Sequence, residues 1–133
     1  MRYMLDTNIC IYLLKGSMPG GLNRLAEQDF GDVVISCLSL AELQRGAALQ
    51  DDDTKTEDEV ALKLLLKDVI ALDFDAQAAH AFGVLGSTFP LSRARAIDNL
   101  IAAHAISQQA VLVTNNEKDF KGYPGLRLEN WTK

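Results

Sequence analysis

Short apolar runs alternate with stretches of helical periodicity along most of the chain. Runs bounded by polar or turn residues are typical of buried strands, and here they lie at residues 3–5, 33–35, 69–72 and 111–113, with a candidate fifth at 126–128. Helical periodicity predicts helices at residues 9–15, 22–28, 39–49, 57–67, 76–85 and 97–107. Strands interleaved with helices predict an α/β fold with a mostly parallel sheet of four to five strands flanked by helices.

Local signals predict several element boundaries. Thr7 and Asn8 are residue types that cap helix N-termini, and Gly16 predicts the end of the first helix. Ser39 followed three residues later by Glu42 has the form of a capping box that opens the third helix. The predicted loops and solvated links are residues 19–21, 51–53 and 86–96.

Composition indicates a globular chain. With 133 residues and 48% hydrophobic content, the chain is long enough for one domain, residues 1–133, with its own core. Its longest apolar runs are far shorter than the roughly 18 residues of a membrane span, and no signal peptide is recognised. We therefore expect a soluble, cytoplasmic protein that makes no membrane contact. Cys10 and Cys37 are expected to be small apolar residues, not a disulfide or a metal site.

The charge balance argues against one mode of nucleic-acid binding. Eighteen acids against 13 bases give a net charge of −5, whereas binding by bulk positive charge needs a basic face. Carboxylates gathered around a divalent cation would reverse this argument, because the cation then meets the substrate phosphates. The positions of the acids therefore decide the function class.

Four acids are expected to converge on one edge of the predicted sheet. Asp6 follows the first strand, Glu42 lies early in the helix after the second, Asp98 begins a helix, and Asp119 comes after residues 114–116, which follow the fourth strand. The carboxyl ends of parallel strands gather at one edge, where such folds build their sites. Clustered carboxylates repel one another unless they hold a hard cation such as Mg²⁺ or Mn²⁺, which activates water for attack on a phosphodiester.

Each acid also has a structural interpretation. Asp6 suits a strand-to-helix turn, Glu42 a capping box with Ser39, and Asp98 the favourable end of a helix dipole, while Asp119 suits a turn. Their spacing forms no local motif, so the functional interpretation depends on their common location.

Four blocks of the chain resemble the signature blocks of PIN-domain ribonucleases, and most closely the VapC group of toxins from bacterial toxin–antitoxin pairs. The resemblance extends from about residue 3 to residue 131. Its blocks are MLDTNICIYL at 4–13, residues 35–36 with LAEL at 40–43 and residues 46–47, DNLIAAHA at 98–105, and VTNN at 113–116 with residues 119–120.

The resemblance implies a three-layer α/β/α fold and an endoribonuclease dependent on Mg²⁺ or Mn²⁺. It assigns Asp6, Glu42 and Asp98 to the catalytic acidic core, with Asp119 as a fourth, outer acid and with Asp6 and Asp98 as metal ligands. Members often cut tRNA or other structured RNA at an exposed loop. They usually form homodimers and hetero-oligomers with a VapB-type antitoxin, whose tail fills the active-site groove.

The same resemblance assigns supporting roles to four polar residues. Thr7, Asn8, Thr114 and Asn116 would orient an acid, the substrate or water. Asn116 stands where many PIN domains carry Asp, which leaves the number of metal ions open.

The loop before Asp98 departs from the family pattern, which often has Gly or Pro there. Arg93 and Arg95 are candidate contacts to RNA phosphates, and a solvated loop is the alternative. Lys15, Arg45 and Lys118 would extend this basic rim. His104 and Trp131 are expected to pack in the core, so Trp131 is not predicted to stack on a base.

Rival enzyme classes fit poorly. A haloacid dehalogenase phosphatase carries a second Asp two residues after the first, where this chain has Asn8, and a response-regulator receiver needs an acidic pair that is missing. The remaining alternative is a non-catalytic module that binds nucleic acid or protein and whose acids are structural.

Overall fold

The computed structural model describes residues 1–132. Five parallel strands form one sheet in the order β3-β2-β1-β4-β5, with helices on both faces, so the predicted α/β fold is confirmed. The elements in chain order are β1 Tyr3–Leu5, α1 Thr7–Lys15, α2 Pro19–Ala26, β2 Val33–Ser36, α3 Cys37–Ala48, α4 Asp52–Asp68, β3 Ile70–Leu72, α5 Ala76–Thr88, a 3₁₀ turn Arg93–Arg95, α6 Ala96–Ser107, β4 Val111–Val113, α7 Glu117–Phe120 and β5 Arg127–Glu129.

Strand register brings the ends of β1, β2 and β4 to one edge of the sheet. Leu5 aligns with Ile35 on one side and with Val113 on the other. Asp6 and Thr114, the residues that follow β1 and β4, therefore leave the sheet side by side. Residues 127–129 confirm the fifth strand, one position later than predicted.

The two faces of the sheet pack against different helices. Because side chains alternate along a strand, Leu5 and Met4 enter different clusters. One face packs on α1 and α4, and the other packs on α5 and α6. Residues 101–105 of α6 are all buried, which explains why this helix reads as apolar on nearly every side.

The N-caps of α1 and α3 differ from the prediction. Asp6, not Thr7 or Asn8, caps α1, because its side chain has left the sheet and accepts the Ile9 amide at 2.9 Å. The predicted capping box of Ser39 and Glu42 is wrong: α3 begins two residues earlier, where the Ser36 hydroxyl accepts the Leu38 amide at 3.1 Å. Glu42 therefore takes no part in the N-cap of α3.

Three predicted loops contain helix. Asp51 caps α4, and Asp52 and Asp53 form its first turn, where the helix dipole favours acids, so the predicted link at 51–53 is wrong. Pro19 begins α2, a position at which its missing N–H has no cost. The predicted loop at 86–96 contains the end of α5 and the 3₁₀ turn.

Two aromatic residues singled out in the sequence lie in the core, as predicted. His104 is fully buried, and its Nδ1 lies 2.8 Å from the hydroxyl of Ser36. Trp131 is 1% exposed and belongs to the cluster around α1. Cys10 and Cys37 form no disulfide. Within residues 1–132, the helices are too short or too polar to cross a lipid bilayer.

Candidate active site

An open cleft of about 610 Å³ lies at the sheet edge where β1, β2 and β4 end. Its walls come from the start of α1, the middle of α3, the start of α6 and the segment after β4. Three of the four predicted acids line it. The lining residues are Asp6, Thr7, Asn8, Ile11, Glu42, Arg45, Gly46, Ile97, Asp98, Asn116 and Phe120.

Asp6 is a buried carboxylate at the floor of the cleft, with 6% of its surface exposed. Burial raises the pKa of this carboxyl above its ordinary value of 3.8, and hydrogen bonds from the Thr114 hydroxyl and the Ile9 amide oppose that rise. The nearby charges of Asp98 and Glu42 raise the pKa further. The carboxylate of Asp6 is therefore held in a position that suits a metal ligand, but burial and the neighbouring acids disfavour its negative charge.

Glu42 is oriented by α1. The Thr7 hydroxyl donates to Glu42 Oε1 at 2.6 Å and also lies 3.1 Å from the hydroxyl of the buried Ser39. This contact joins the first turn of α1 to α3, and it uses one carboxylate oxygen of Glu42. Thr7, the residue that follows Asp6 in the chain, therefore positions the carboxylate of Glu42.

Asp98 lies in the first turn of α6, with about half of its side-chain surface exposed. Burial raises the pKa of the Asp98 carboxyl, Arg95 opposes the rise, and Asp119 adds to it. Asp119 is exposed and is not among the residues that line the cleft, although its charge acts on Asp98. The role of Asp119 as an outer acid stays a prediction.

The polar residues predicted to orient an acid, the substrate or water lie at two depths relative to the cleft. Thr114 is fully buried beneath Asp6, and its hydroxyl also accepts the Asn116 amide at 3.0 Å. Asn8 and Asn116 are exposed and line the cleft. Thr114 is therefore arranged to orient an acid, whereas the two asparagine amides face the space that a substrate would enter.

The two arginines before Asp98 differ in position. Arg93 is exposed, and its contact with RNA stays a prediction. Arg95 is engaged within the protein: its Nη1 donates to the Asp119 carbonyl at 2.7 Å, and its Nε lies 3.9 Å from Asp98 Oδ2.

Two features of the cleft do not follow from the sequence pattern: its apolar walls and the contact of Ser39 with Thr7. Ile11 and Ile97 line the cleft, and Ile97 keeps 44% of its surface exposed beside Asp98. Ile11 lies one helical turn after Asn8, and Ile97 adjoins Asp98, so proximity to the acids was the available signal. Ser39 has the sequence pattern of a helix N-cap, so its contact with Thr7 could not be predicted from the sequence.

The donor set suits a hard divalent cation. Among residues 1–132, no three Asp, Glu, His or Cys side chains come close enough together to hold a metal ion. Mg²⁺ is commonly held by only one or two carboxylates with water in the other positions. Burial raises the pKa of Asp6, the charges of Asp98 and Glu42 raise it further, and a bound cation would offset both effects.

We expect Asp6→Asn to stabilise the metal-free protein at neutral pH. The folded pKa of Asp6 is raised above 3.8, so its contribution to stability is complete below that value and is lost as the pH rises through the folded pKa. Asn keeps the N-cap acceptor. The melting temperature of Asp6→Asn in EDTA should therefore exceed that of wild type by a margin that grows from about pH 4 towards neutrality.

Asp29→Asn provides the matched control for this measurement. Asp29 is exposed in the loop before β2, at the opposite edge of the sheet. A difference between Asp6→Asn and wild type that does not vary with pH would contradict the raised pKa.

Comparison with known proteins identifies the family of this chain. The PIN domain family model matches residues 3–126. Ribonuclease VapC2 of Rickettsia felis is 39% identical to this chain over 139 aligned positions, and the alignment covers 100% of both proteins. The tRNA(fMet)-specific endonuclease VapC of Shigella flexneri is 31% identical, and the alignment covers 99% of both proteins. The crystal structure of VapBC2 from Rickettsia felis bound to a promoter DNA fragment superposes with a TM-score of 0.82 at 36% identity, over 98% of this chain and 99% of that one. The chain therefore belongs to the PIN-domain family, within its VapC group of ribonucleases.

Proposed function

We propose that this chain is a divalent-metal-dependent endoribonuclease that acts in the cytoplasm as the toxin of a type II toxin–antitoxin pair. The observation that carries the proposal is the convergence of Asp6, Glu42 and Asp98 on one open cleft in a chain of the VapC group. A buried carboxylate that is repelled by two others has a clear use as a cation ligand.

Asp6 and Asp98 would hold Mg²⁺ or Mn²⁺. When bound, such an ion activates water and stabilises the charge that develops on phosphodiester oxygens. Asp6 is fixed for this role by its cap to Ile9 and by the Thr114 hydroxyl beneath it. Asp119 acts from outside the cleft, through its charge on Asp98.

Glu42 is the residue suited to take a proton from the attacking water. Thr7 occupies Oε1, which leaves Oε2 to accept that proton at the cleft. The amides of Asn8 and Asn116 are suited to hydrogen-bond water or a phosphate oxygen, since both line the same cleft.

The substrate we propose is tRNA or another structured RNA, cut at an exposed loop. The Shigella flexneri relative is named for tRNA(fMet), and an open cleft with apolar walls at Ile11 and Ile97 suits an unstacked nucleotide. Arg93, exposed on the 3₁₀ turn, is placed to contact a phosphate on the rim.

The partner we propose is a VapB-type antitoxin that fills this cleft, with the toxin as a homodimer within a hetero-oligomer. Support comes from the similarity of this chain to VapBC2 from Rickettsia felis, whose crystal structure is bound to a DNA fragment from the promoter.

Incubation of the purified protein with total RNA and Mg²⁺ or Mn²⁺ tests the proposal. We expect cleavage that EDTA abolishes, that Asp6→Asn reduces at least about 100-fold, and that Asp29→Asn leaves unchanged. Cleavage that survives both EDTA and Asp6→Asn would contradict a metal-dependent site. An absence of cleavage together with intact antitoxin binding would favour the non-catalytic binding module.

A further inference from the structure

Arg95 makes a set of contacts that the proposed chemistry does not use. It ends the 3₁₀ turn directly before α6, and only 27% of its side-chain surface is exposed. Its Nη1 donates to the Asp119 carbonyl at 2.7 Å, and its Cζ lies 5.1 Å from the centre of the Phe120 ring. One side chain thus ties the start of α6 to α7.

The remaining donors of Arg95 are buried beside the acids. Nε lies 3.9 Å from Asp98 Oδ2, which is an ion-pair distance and too long for a hydrogen bond. Nε and Nη2 have no hydrogen-bond partner and are excluded from solvent. Burial of unpaired charged donors is unfavourable, so a compensating interaction must hold the guanidinium there, and the Asp98 carboxylate supplies one.

We propose that Arg95 is a positioning residue that clamps the start of α6 to α7 and acts as a resident counter-ion of Asp98, in competition with the divalent cation. The counter-ion part rests on the proposed function, whereas the clamp does not. The guanidinium partly neutralises Asp98 before a metal binds, and its hydrogen bond to the Asp119 carbonyl holds that positive charge beside Asp98.

Arg93 is the matched control for Arg95. Both residues belong to the same short turn and carry the same charge, but Arg93 is exposed. In the part of the chain that the structure describes, no hydrogen bond or ion pair of the Arg93 side chain is seen. Arg93→Gln therefore removes an equal charge without removing the contacts.

Calorimetric titration with Mn²⁺, without RNA, tests the counter-ion. Because a positive charge this close to Asp98 opposes a divalent cation, Arg95→Gln should bind Mn²⁺ about five- to tenfold more tightly than wild type. Arg95→Lys keeps the charge, and Arg93→Gln removes only a screened one, so both should stay within about twofold of wild type. The counter-ion role would be overturned if Arg95→Gln and Arg93→Gln bound Mn²⁺ with equal affinity. It would also be overturned if Arg95→Gln and Arg95→Lys changed the Mn²⁺ affinity equally.

Hydrogen exchange in EDTA tests the clamp independently of metal. We expect faster exchange at residues 92–98 and 117–120 in Arg95→Gln and in Arg95→Lys, which lacks the planar guanidinium, and wild-type exchange in Arg93→Gln. Wild-type exchange in Arg95→Lys would overturn the clamp even where Arg95→Gln does not fold. A wild-type protein that binds no Mn²⁺ would overturn the proposed function and the counter-ion together, whereas the exchange data alone decide the clamp.

Discussion

Replacing Asp98 by Asn should slow RNA cleavage by about three orders of magnitude, which corresponds to about 4 kcal/mol of lost transition-state stabilisation. The carboxamide is a weaker ligand for a hard cation and carries no charge. The side chain lies in the first turn of α6 and is half-exposed, so the substitution leaves the core intact. Single-turnover cleavage rates at saturating Mn²⁺ measure the effect, and growth arrest on expression should be lost with it.

Asp119→Asn is the informative comparison for Asp98→Asn. Asp119 acts on Asp98 from outside the residues that line the cleft, so we expect a smaller loss, about tenfold. An Asp98→Asn enzyme within tenfold of wild type, beside an inactive Asp119→Asn enzyme, would show that the inner and outer acids have been assigned in reverse.

The melting temperature of Asp98→Asn distinguishes a loss of catalysis from a loss of folded structure. Burial and the charge of Asp119 raise the pKa of Asp98 by more than Arg95 lowers it, so the ionised carboxylate is a net burden to the metal-free fold at neutral pH even with its ion pair to Arg95. The melting temperature of Asp98→Asn in EDTA should equal or exceed that of wild type.

The position of the site could be predicted from the sequence because it follows from the sheet. Asp6 and Thr114 each come directly after a short apolar run, and parallel register brings those two points together. The predictions for β1 and β4 were therefore sufficient to place both residues at one edge. Glu42 needed only the additional prediction that a helix follows β2.

Contacts between distant segments could not be predicted in the same way. The bond from Thr7 to Glu42 spans 35 positions and depends on how α1 crosses α3. Arg95 lies in a polar loop by sequence, but the carbonyl of Asp119 and the ring of Phe120 bind it within the protein. The capping box predicted for Ser39 and Glu42 is wrong because Ser36, three residues earlier, is an equally good cap residue and its hydroxyl is held by His104.

Trp131→Ala should destabilise the protein by about 3–5 kcal/mol, a large fraction of the stability of an ordinary domain. The indole is 1% exposed, lies 5.4 Å from the Tyr3 ring between centres, and lies under the guanidinium of Arg24 at 5.2 Å. Its Nε1 also donates to Glu129 Oε1 at 3.1 Å. Thermal unfolding should show the loss as a fall of roughly 10–18 °C in melting temperature.

Trp131→Phe separates the packing of the ring from its hydrogen bond and from any contact with RNA. Phe keeps an aromatic ring in the core but leaves Glu129, which is also paired with Arg24 at 2.6 Å, without the indole donor. We expect a cost of about 1–2 kcal/mol and wild-type RNA affinity in the metal-free Asp6→Asn background. A Trp131→Ala protein with the wild-type melting temperature and weakened RNA binding would instead identify Trp131 as a base-stacking residue, because only an indole outside the core can be removed without a loss of folding free energy.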